Sequence, residues 1–228
     1  MGRLITINTG SSGNCYLLQC GDEILILDCG VRFIDVKKAL KFNIRGIVGA
    51  VCTHRHGDHA KYISEYEASG IPVWKPYEDE KLIQTRQMHG FTVRSFDCVH
   101  NVPCVGYLIE HQEDNLKLLY ASDTEFIRYT FSGLTAMLME ANYGEEYVNR
   151  EEPKYRHVLQ GHQSIETALQ CIRANMNPKL AHICLCHLSA GNSDEKAFKA
   201  MVQELVPSWV DVTVAEPGLV VDLKEIPF

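Results

Sequence analysis

The feature that most constrains this chain is a run of four metal-ligand side chains within six residues. His54, His56, Asp58 and His59 follow the apolar segment 47–52, which is typical of a buried strand feeding directly into a loop. His54 and His56 are two residues apart, so on an extended segment their side chains point the same way. Asp58 and His59 are neighbours and must diverge, so one compact loop can serve two nearby metal ions. A histidine-rich surface turn is the alternative, and the buried strand before it argues against that interpretation.

Three more polar residues stand where apolar strands stop. His100 follows the segment 96–99, Asp123 follows 118–122, and His187 follows 182–186. Taken alone, each is more typical of a strand cap or a surface group, but strand ends are rigid platforms that can converge side chains on one cleft. We therefore predict that one metal could be held by His54, His56 and His100 and a second by Asp58, His59 and His187, with Asp123 between them.

The alternation of apolar strands and amphipathic helices predicts sheets covered by helices. No linker or repeat interrupts it, so we predict a single domain, 1–228. The predicted helices span residues 33–42, 60–69, 78–87 and 164–176, and a last helix opens at a capping-box pattern, 192–195, and runs to 205. Two short apolar segments near the end of the chain, 210–214 and 219–223, are predicted to form a closing hairpin.

Cysteine usage and hydropathy predict a cytoplasmic protein. The nine cysteines are odd in number, lack a Cys-x-x-Cys pair and occur mostly in apolar, strand-like settings, which disfavours both a disulfide framework and a zinc ribbon. No apolar run is long enough to span a membrane, and the N-terminal residues lack a signal-peptide pattern. We expect no membrane partner, and the sequence leaves the oligomeric state open.

The formal net charge of −7 bears on the substrate. A broad basic surface for tight nucleic-acid binding is absent, which weakens a phosphate-polymer substrate without excluding it. Metal ions in the site would add positive charge that this sum omits.

The motif Thr-His-x-His-x-Asp-His at residues 53–59, followed by the strand-end His, Asp and His in that order, resembles the metallo-β-lactamase fold superfamily along essentially the whole chain. The resemblance implies an α/β fold built as a four-layer αββα sandwich, with a dinuclear metal site along one edge of the sheets. Histidine and carboxylate ligands are compatible with two divalent ions of zinc or manganese, and also with iron. The ligand sets that the resemblance implies are His54, His56, His100 and Asp123 for one ion and Asp58, His59, Asp123 and His187 for the other.

Two later segments narrow the chemistry. Glu140 ends a strand in the sequence Met-Glu-Ala-Asn-Tyr, and His162 stands in Gly-His-Gln-Ser before a helix. These segments resemble the ribonuclease Z-like phosphodiesterases, and the Gly-Ser-Ser-Gly-Asn turn at 10–14 and the length resemble the YycJ-like (WalJ-like) branch of exodeoxyribonucleases. The resemblance implies that His162 protonates the leaving oxygen and that Glu140 orients it. Cys186 stands where this group usually has threonine, and no arm of the kind that grips transfer-RNA precursors is visible.

Two ions held side by side can clamp the attacking and leaving oxygens of a phosphoryl transfer. Asp58 could orient the attacking water or accept its proton, so the catalytic candidates are Asp58, His162 and Glu140. We interpret the chain as a metal-dependent hydrolase of phosphodiester bonds in nucleic acid, a nuclease and specifically a DNA exonuclease. The alternative is hydrolysis of a small thioester, lactone or cyclic nucleotide with the same metals. The charge of −7 favours that alternative. The pair of His162 and Glu140 favours the nuclease, because activated esters have less need of a proton on the leaving group.

Two weaker features concern substrate binding. Ser12 and Asn14 lie in the turn 10–14, whose backbone N–H groups could bind a phosphate, although a plain glycine-permitted hairpin turn is equally consistent. The main basic cluster could steer a nucleic-acid backbone, with a solvated helix face as the alternative. It consists of Arg150, Lys154, Arg156 and His157.

Overall fold

Two mixed β-sheets lie at the centre of the computed structural model, which describes residues 2–148, 151 and 160–224. In spatial order, the first sheet contains β13 (Val220–Leu223), β1 (Gly2–Asn8), β2 (Cys15–Cys20), β3 (Glu23–Leu27), β4 (Ile47–Val51) and β5 (Val73–Trp74). The second contains β12 (Asp211–Val214), β11 (His182–Cys186), β10 (Ala136–Glu140), β9 (Leu116–Ala121), β8 (Val105–His111), β7 (Phe91–Asp97) and β6 (Thr85–Met88). The helices are α1 (Phe33–Ala39), α2 (Gly57–Ala60), α3 (Ile63–Ala68), α4 (Ile165–Ala174) and α5 (Glu195–Leu205).

The period of two along each strand sorts its side chains between two cores. In β2, Tyr16 and Leu18 face the opposing sheet, whereas Leu17 joins the cluster beneath α1. In β9, Leu118 belongs to the core between the sheets and Leu119 to the core beneath the other helices. Both faces of these strands are buried, which explains why the sequence shows continuous apolar runs there.

Helices cover the outer face of each sheet. Phe33 and Val36 of α1 and Tyr66 of α3 pack on the first sheet. Ile165 of α4 and Phe198 of α5 pack on the second. Each of these last two helices begins at a side-chain cap, because Ser164 Oγ accepts from Thr167 N at 3.2 Å and Asp194 Oδ1 accepts from Ala197 N at 3.0 Å. The layers run αββα, which confirms the predicted sandwich.

The parallel strands place several polar residues at one edge of the sandwich. β3 and β4 run parallel in the first sheet, and β9, β10 and β11 run parallel in the second. Their carboxyl ends therefore open on the same edge, where Asp28, the loop 53–59, Asp123, Glu140 and His187 follow or end them. This explains how residues far apart along the chain reach one cleft.

The backbone at this edge is unusual. Asp28, Asp123 and His187 have φ angles of 64°, 51° and 54°. These lie in the left-handed region, which residues other than glycine rarely adopt. Such conformations cost of order 1–3 kcal/mol each and persist where the surrounding structure fixes them. Each follows the end of a strand; Asp123 and His187 then line the cleft, whereas Asp28 stays fully buried behind it.

Two predicted elements are wrong. Residues 78–87 form no helix: a 3₁₀ turn spans Pro76–Glu78, and the chain then enters β6, which pairs antiparallel with β7 through Met88 and Phe91. This edge strand buries little besides Met88, so its sequence carries no apolar alternation. The predicted closing hairpin is also absent, because β12 pairs parallel with β11 while β13 pairs antiparallel with β1, from Gly2 opposite Leu223 to Ile5 opposite Val220. Both segments have strand character, and pairing with earlier strands sends them to different sheets.

The described helices include none that is long and apolar enough to cross a bilayer. The nine cysteines are all free thiols, as predicted, and every one except Cys98 is buried.

Burial makes these thiols a test of the packing. It raises the pKa of Cys15 and Cys20 to about 12, so at pH 8 each is ionised to about one part in ten thousand. We expect iodoacetamide at pH 8 to add one label to the native protein, at partly exposed Cys98, and nine after denaturation, as read by intact mass and peptide mapping. A second thiol labelled at a comparable rate would show that the core opens near it.

Candidate metal centre

Three imidazoles and one carboxylate oxygen converge on the first position. His100 Nε2 lies 3.2 Å from His56 Nδ1, and Asp123 Oδ2 lies 3.7 Å from His54 Nε2 and 4.0 Å from His100 Nε2. One donor atom from each of the four residues lies within 4.8 Å of the others. The arrangement is that of a nitrogen-rich metal site.

A second position lies beside the first. His59 Nε2 and His187 Nε2 lie 3.5 and 3.4 Å from Asp58 Oδ2, and 3.1 and 3.5 Å from Asp123 Oδ1. Asp123 thus presents Oδ2 to the first position and Oδ1 to the second. The seven side chains predicted as ligands are brought together, in the two sets expected.

The donor set fits a divalent metal. His54 is fully buried, its Nδ1 lies 3.1 Å from Thr53 Oγ1, and its Nε2 has no hydrogen-bond partner in the structure. A buried nitrogen without a partner is costly, and a metal ion at the first position would satisfy it. Burial and the neighbouring His59 also hold the pKa of His54 well below its usual value, which favours the neutral imidazole that binds metal.

Charge is distributed unequally between the two positions. Burial by itself lowers the pKa of His59, but the carboxylates of Asp123 and Asp28 outweigh it and hold the pKa well above its usual value. Burial likewise opposes the change at His187, where Asp123, Asp58 and Glu140 raise the pKa to about 10. The excess of carboxylate around the second position would favour a cation there.

A carboxylate that the sequence analysis did not single out holds the second position in place. Asp28 is fully buried, and its Oδ2 accepts from His59 Nδ1 at 2.8 Å and from the Tyr120 hydroxyl. Its Oδ1 accepts from Thr53 N at 2.7 Å. Such bonds fix the tautomer and direction of a metal-binding imidazole. The available signal was the one used for Asp123, namely an acidic residue directly after an apolar strand.

Glu140 joins the second position to His162. Its Oε1 lies 2.7 Å from His162 Nδ1 and 3.0 Å from His187 Nδ1, while its Oε2 accepts from the backbone N–H groups of Thr124 and Gln163, both at 3.1 Å. Burial by itself lowers the pKa of His162, but the charge of Glu140 and its hydrogen bond outweigh it and raise the pKa. The imidazole rings of His162 and His187 stack with their centroids 5.4 Å apart. The predicted contact between Glu140 and His162 is therefore present in the structure.

The loop before His162 depends on a glycine. His100 Nδ1 lies 2.7 Å from the carbonyl oxygen of Gly161, and Gly161 has a φ of 86°. A Cβ at this position would lie 2.4 Å from His100 Nδ1. The missing side chain lets the loop that carries His162 contact a residue of the first position directly.

The cleft above the two positions has a volume of about 520 Å³, and its walls include Asp58, His162, Ser11 and Ser189. The substrate-binding candidates lie elsewhere. Asn14 is fully buried, with Nδ2 2.9 Å from His59 Nε2, and Ser12 lines a separate cavity beside Arg32. From the turn 10–14 the structure brings Ser11 to the cleft, in place of the predicted Ser12 and Asn14.

The predicted basic cluster cannot be placed, because Arg150, Lys154, Arg156 and His157 lie outside the described residues.

Comparisons with known proteins agree with this geometry. Residues 8–97 match the family model described as the metallo-beta-lactamase superfamily. Exodeoxyribonuclease WalJ of Streptococcus pneumoniae serotype 2 (strain D39) is 22% identical over 250 residues, covering 95% of this chain and 90% of that protein. The metallo-beta-lactamase fold protein YhfI of Bacillus subtilis superposes with a TM-score of 0.73 at 15% identity, covering 97% of this chain and 100% of that chain. The short form of human tRNase Z superposes with a TM-score of 0.63 at 14% identity, covering 97% and 99%.

The contact between Asp28 and His59 can be tested through metal binding. Changing Asp28→Asn keeps the shape of the side chain but removes the charge that orients His59. We expect the metal affinity of the second position, which contains His59, to fall about 10- to 100-fold, as for other carboxylates that orient a metal-binding histidine. Competition with a chromogenic chelator would measure this.

Asp35→Asn is the matched control, because Asp35 is an exposed carboxylate of α1 that pairs with Lys38. Circular dichroism would establish that both variants fold. An Asp28→Asn protein that folds and binds metal as tightly as the control would remove Asp28 from the support of the site.

Proposed function

We propose that this chain hydrolyses phosphodiester bonds in nucleic acid and acts on DNA as an exonuclease. The metallo-β-lactamase hydrolase fold and the His/Asp site for divalent metal support an enzyme of this class. The observation that carries the proposal is Glu140 Oε1, which bonds both His162 and His187. A proton donor tied to the metal cluster suits a substrate whose leaving group is a poor one, such as the sugar oxygen of a nucleic acid.

The ligand sets and their occupancy are part of the proposal. Two divalent ions, zinc or manganese, would occupy the two positions, with Asp123 contacting both. Bound there, they would supply Lewis-acid stabilisation of the charge that develops on the phosphoryl oxygens.

The residues of the chain would then handle the protons. Burial by itself raises the pKa of Asp58, but the hydrogen bond with His187 and the charge of His59 outweigh it and lower the pKa, so the side chain is a carboxylate. Asp58 lines the cleft and would orient the attacking water and accept its proton. Because His162 Nδ1 bonds Glu140, Nε2 is the nitrogen that would give a proton to the leaving oxygen. Glu140 would orient that ring and favour its charged form.

The relatives support nucleic acid as the substrate. One curated relative is an exodeoxyribonuclease and one structural neighbour is a tRNase, and both are similar to this chain along nearly its whole length. The first of these favours DNA. A cytoplasmic location also belongs to the proposal, and the free thiols suit a reducing compartment.

A small thioester, lactone or cyclic nucleotide is the second candidate substrate, and the net charge of −7 is the observation that favours it. A thioester has a good leaving group and needs no proton donor, whereas a lactone and a cyclic nucleotide, itself a phosphodiester, both release an alkoxide oxygen. The contact between His162 and Glu140 therefore favours a phosphodiester over a thioester.

One experiment separates the two functions. The purified protein, with its metal content measured, is assayed on end-labelled single- and double-stranded DNA and RNA, on bis-p-nitrophenyl phosphate and on a thioester. We expect hydrolysis of the phosphodiesters and release of mononucleotides from DNA ends. Turnover of the thioester alone would overturn the proposal.

The role of His162 predicts a dependence on the leaving group. In His162→Ala, we expect the rate on DNA to fall about 10²- to 10⁴-fold, because the sugar oxygen must be protonated as it leaves. Nitrophenolate leaves without a proton, so the rate on bis-p-nitrophenyl phosphate should fall less than about threefold on the same basis. Steady-state rates at saturating substrate measure both.

His89→Ala is the matched control, since His89 is an exposed histidine near Glu23 and lies outside the cleft. Metal analysis would verify that the His162→Ala protein keeps its metal. Equal losses on both substrates with metal retained would show that His162 supports the site structurally and donates no proton.

A further inference from the structure

A second cavity adjoins the metal cleft, and His162 lines both. Its volume is about 540 Å³, and its walls are residues 125–130 on one side and the outer face of α4 on the other, with Tyr143. This volume lies within the usual range for a small-ligand pocket, about 300–1,000 Å³.

Phe126 and Arg128 give this cavity a distinctive surface. Phe126 is 43% exposed, and of the large apolar side chains that stand exposed among the described residues it is the one that lines a cavity next to the metal cleft. The Arg128 guanidinium lies 5.8 Å from the centre of its ring. An exposed aromatic ring beside a cation is the combination with which proteins bind single-stranded nucleic acid, by stacking a base and contacting a phosphate.

The segment that carries Phe126 is held firmly against the site. Thr124 N donates to Glu140 Oε2 at 3.1 Å, and Thr124 Oγ1 donates to the carbonyl of Phe126 at 2.9 Å. Glu125 N donates to the carbonyl of Val99 at 2.9 Å, and Glu125 Oε1 accepts from Gly161 N at 3.1 Å. The backbone that carries Phe126 is thus held relative to both His162 and the cluster that contains Asp123.

The charge on the cavity walls suits one nucleotide. Arg128, which also pairs with Asp97 at 3.5 Å, is the permanent cation among its lining residues, and His162 is a titratable one. The one lining carboxylate, on Glu125, is already bonded to Gly161 N. The remaining polar groups include the neutral side chains of Thr130, Thr167 and Gln170. Such walls can take a base and a sugar but provide little for a long polyanion, in keeping with the acidic chain.

The position of His162 between the two cavities gives a direction. If the leaving oxygen takes its proton from His162, the group attached to that oxygen lies beside a ring that also lines the second cavity. We propose that this cavity binds the nucleotide on the leaving side of the scissile phosphate in a single strand, with Phe126 stacking on its base and Arg128 contacting the next phosphate. This inference rests on the proposed function.

The test uses a short single-stranded oligonucleotide on which the cleaved bond has first been mapped. Two further substrates carry one abasic residue, either on the leaving side of that bond or on the opposite side. We expect Phe126→Ala to raise KM about 5- to 100-fold on the intact oligonucleotide, the loss expected for one stacked base. With the abasic residue on the leaving side, this ratio should fall to less than about twofold, because the base that stacks is already missing.

Matched variants control for exposure and charge. Phe42 is 65% exposed and lies outside both cavities, so Phe42→Ala should behave as the unaltered protein. Arg128 pairs with Asp97 as Arg3 pairs with Asp222, and both arginine side chains are 56% exposed. We expect Arg128→Ala to lower the slope of log affinity against log salt by about 1 and Arg3→Ala to leave it unchanged.

The outcomes separate this inference from the proposed function. A protein that cleaves oligonucleotides while Phe126→Ala matches Phe42→Ala would overturn the inference and leave the function standing. The inference also fails, with the function intact, if the Phe126→Ala penalty persists when the leaving-side base is removed. A protein that cleaves no nucleic acid would overturn both. Phe126→Leu, which keeps apolar bulk without a ring, should show the same pattern as Phe126→Ala and excludes misfolding as its cause.

Discussion

The buried carboxylate of Asp28 joins the two sheets at the edge where the site forms. It lies at the end of β3 in the first sheet, accepts from the start of the histidine loop through Thr53 N, and bonds Tyr120 of β9 in the second sheet. A buried charge without partners costs several kcal/mol, so folding must bring these donors to it together. The same carboxylate then orients His59. Asp28 therefore both joins the two sheets at this edge and orients a candidate ligand of the second position.

The seven candidate ligands could be predicted because two signals coincide on them: residue chemistry and position at strand ends. Asp28 carries the same signal but belongs to no dense motif, and only the structure shows that its carboxylate meets His59. Residues 85–88 and 220–223 were placed incorrectly for a different reason. Residues 220–223 pair with β1 at the other end of the chain, and local sequence indicates a strand without naming so distant a partner. Residues 85–88 pair with the neighbouring β7 across a two-residue turn, but their exposed polar side chains show no strand pattern. The position of Asn14 behind His59 could not be predicted, since a turn sequence does not state which way its side chains point.

The site has a general part, the two metal positions, and a selective part, which includes His162. Glu140 Oε1 contacts both parts. The two metal positions would serve many hydrolytic reactions, and the fold by itself does not choose among them. Glu140 Oε1 contacts both His187, in the second position, and His162, outside it. Protonation of either imidazole therefore affects the pKa of the other, because both contact this oxygen. In the arrangement proposed above, Phe126 would add a base-binding surface away from the metal cluster, on a segment whose Thr124 N donates to Glu140 Oε2.

The pairing of β1 with β13 has a consequence for how the molecule folds. Gly2 lies opposite Leu223, and the residues of the metal centre all come from the chain between these two strands. Contacts so distant in sequence carry a large loop-closure entropy and slow the folding of a β-rich chain. Until β13 arrives, β1 presents an open edge to other strands, a known route to aggregation. Metal ions that bind before β13 pairs with β1 would shorten the time for which the edge of β1 stays exposed. The yield of refolded protein should therefore depend on when metal is supplied.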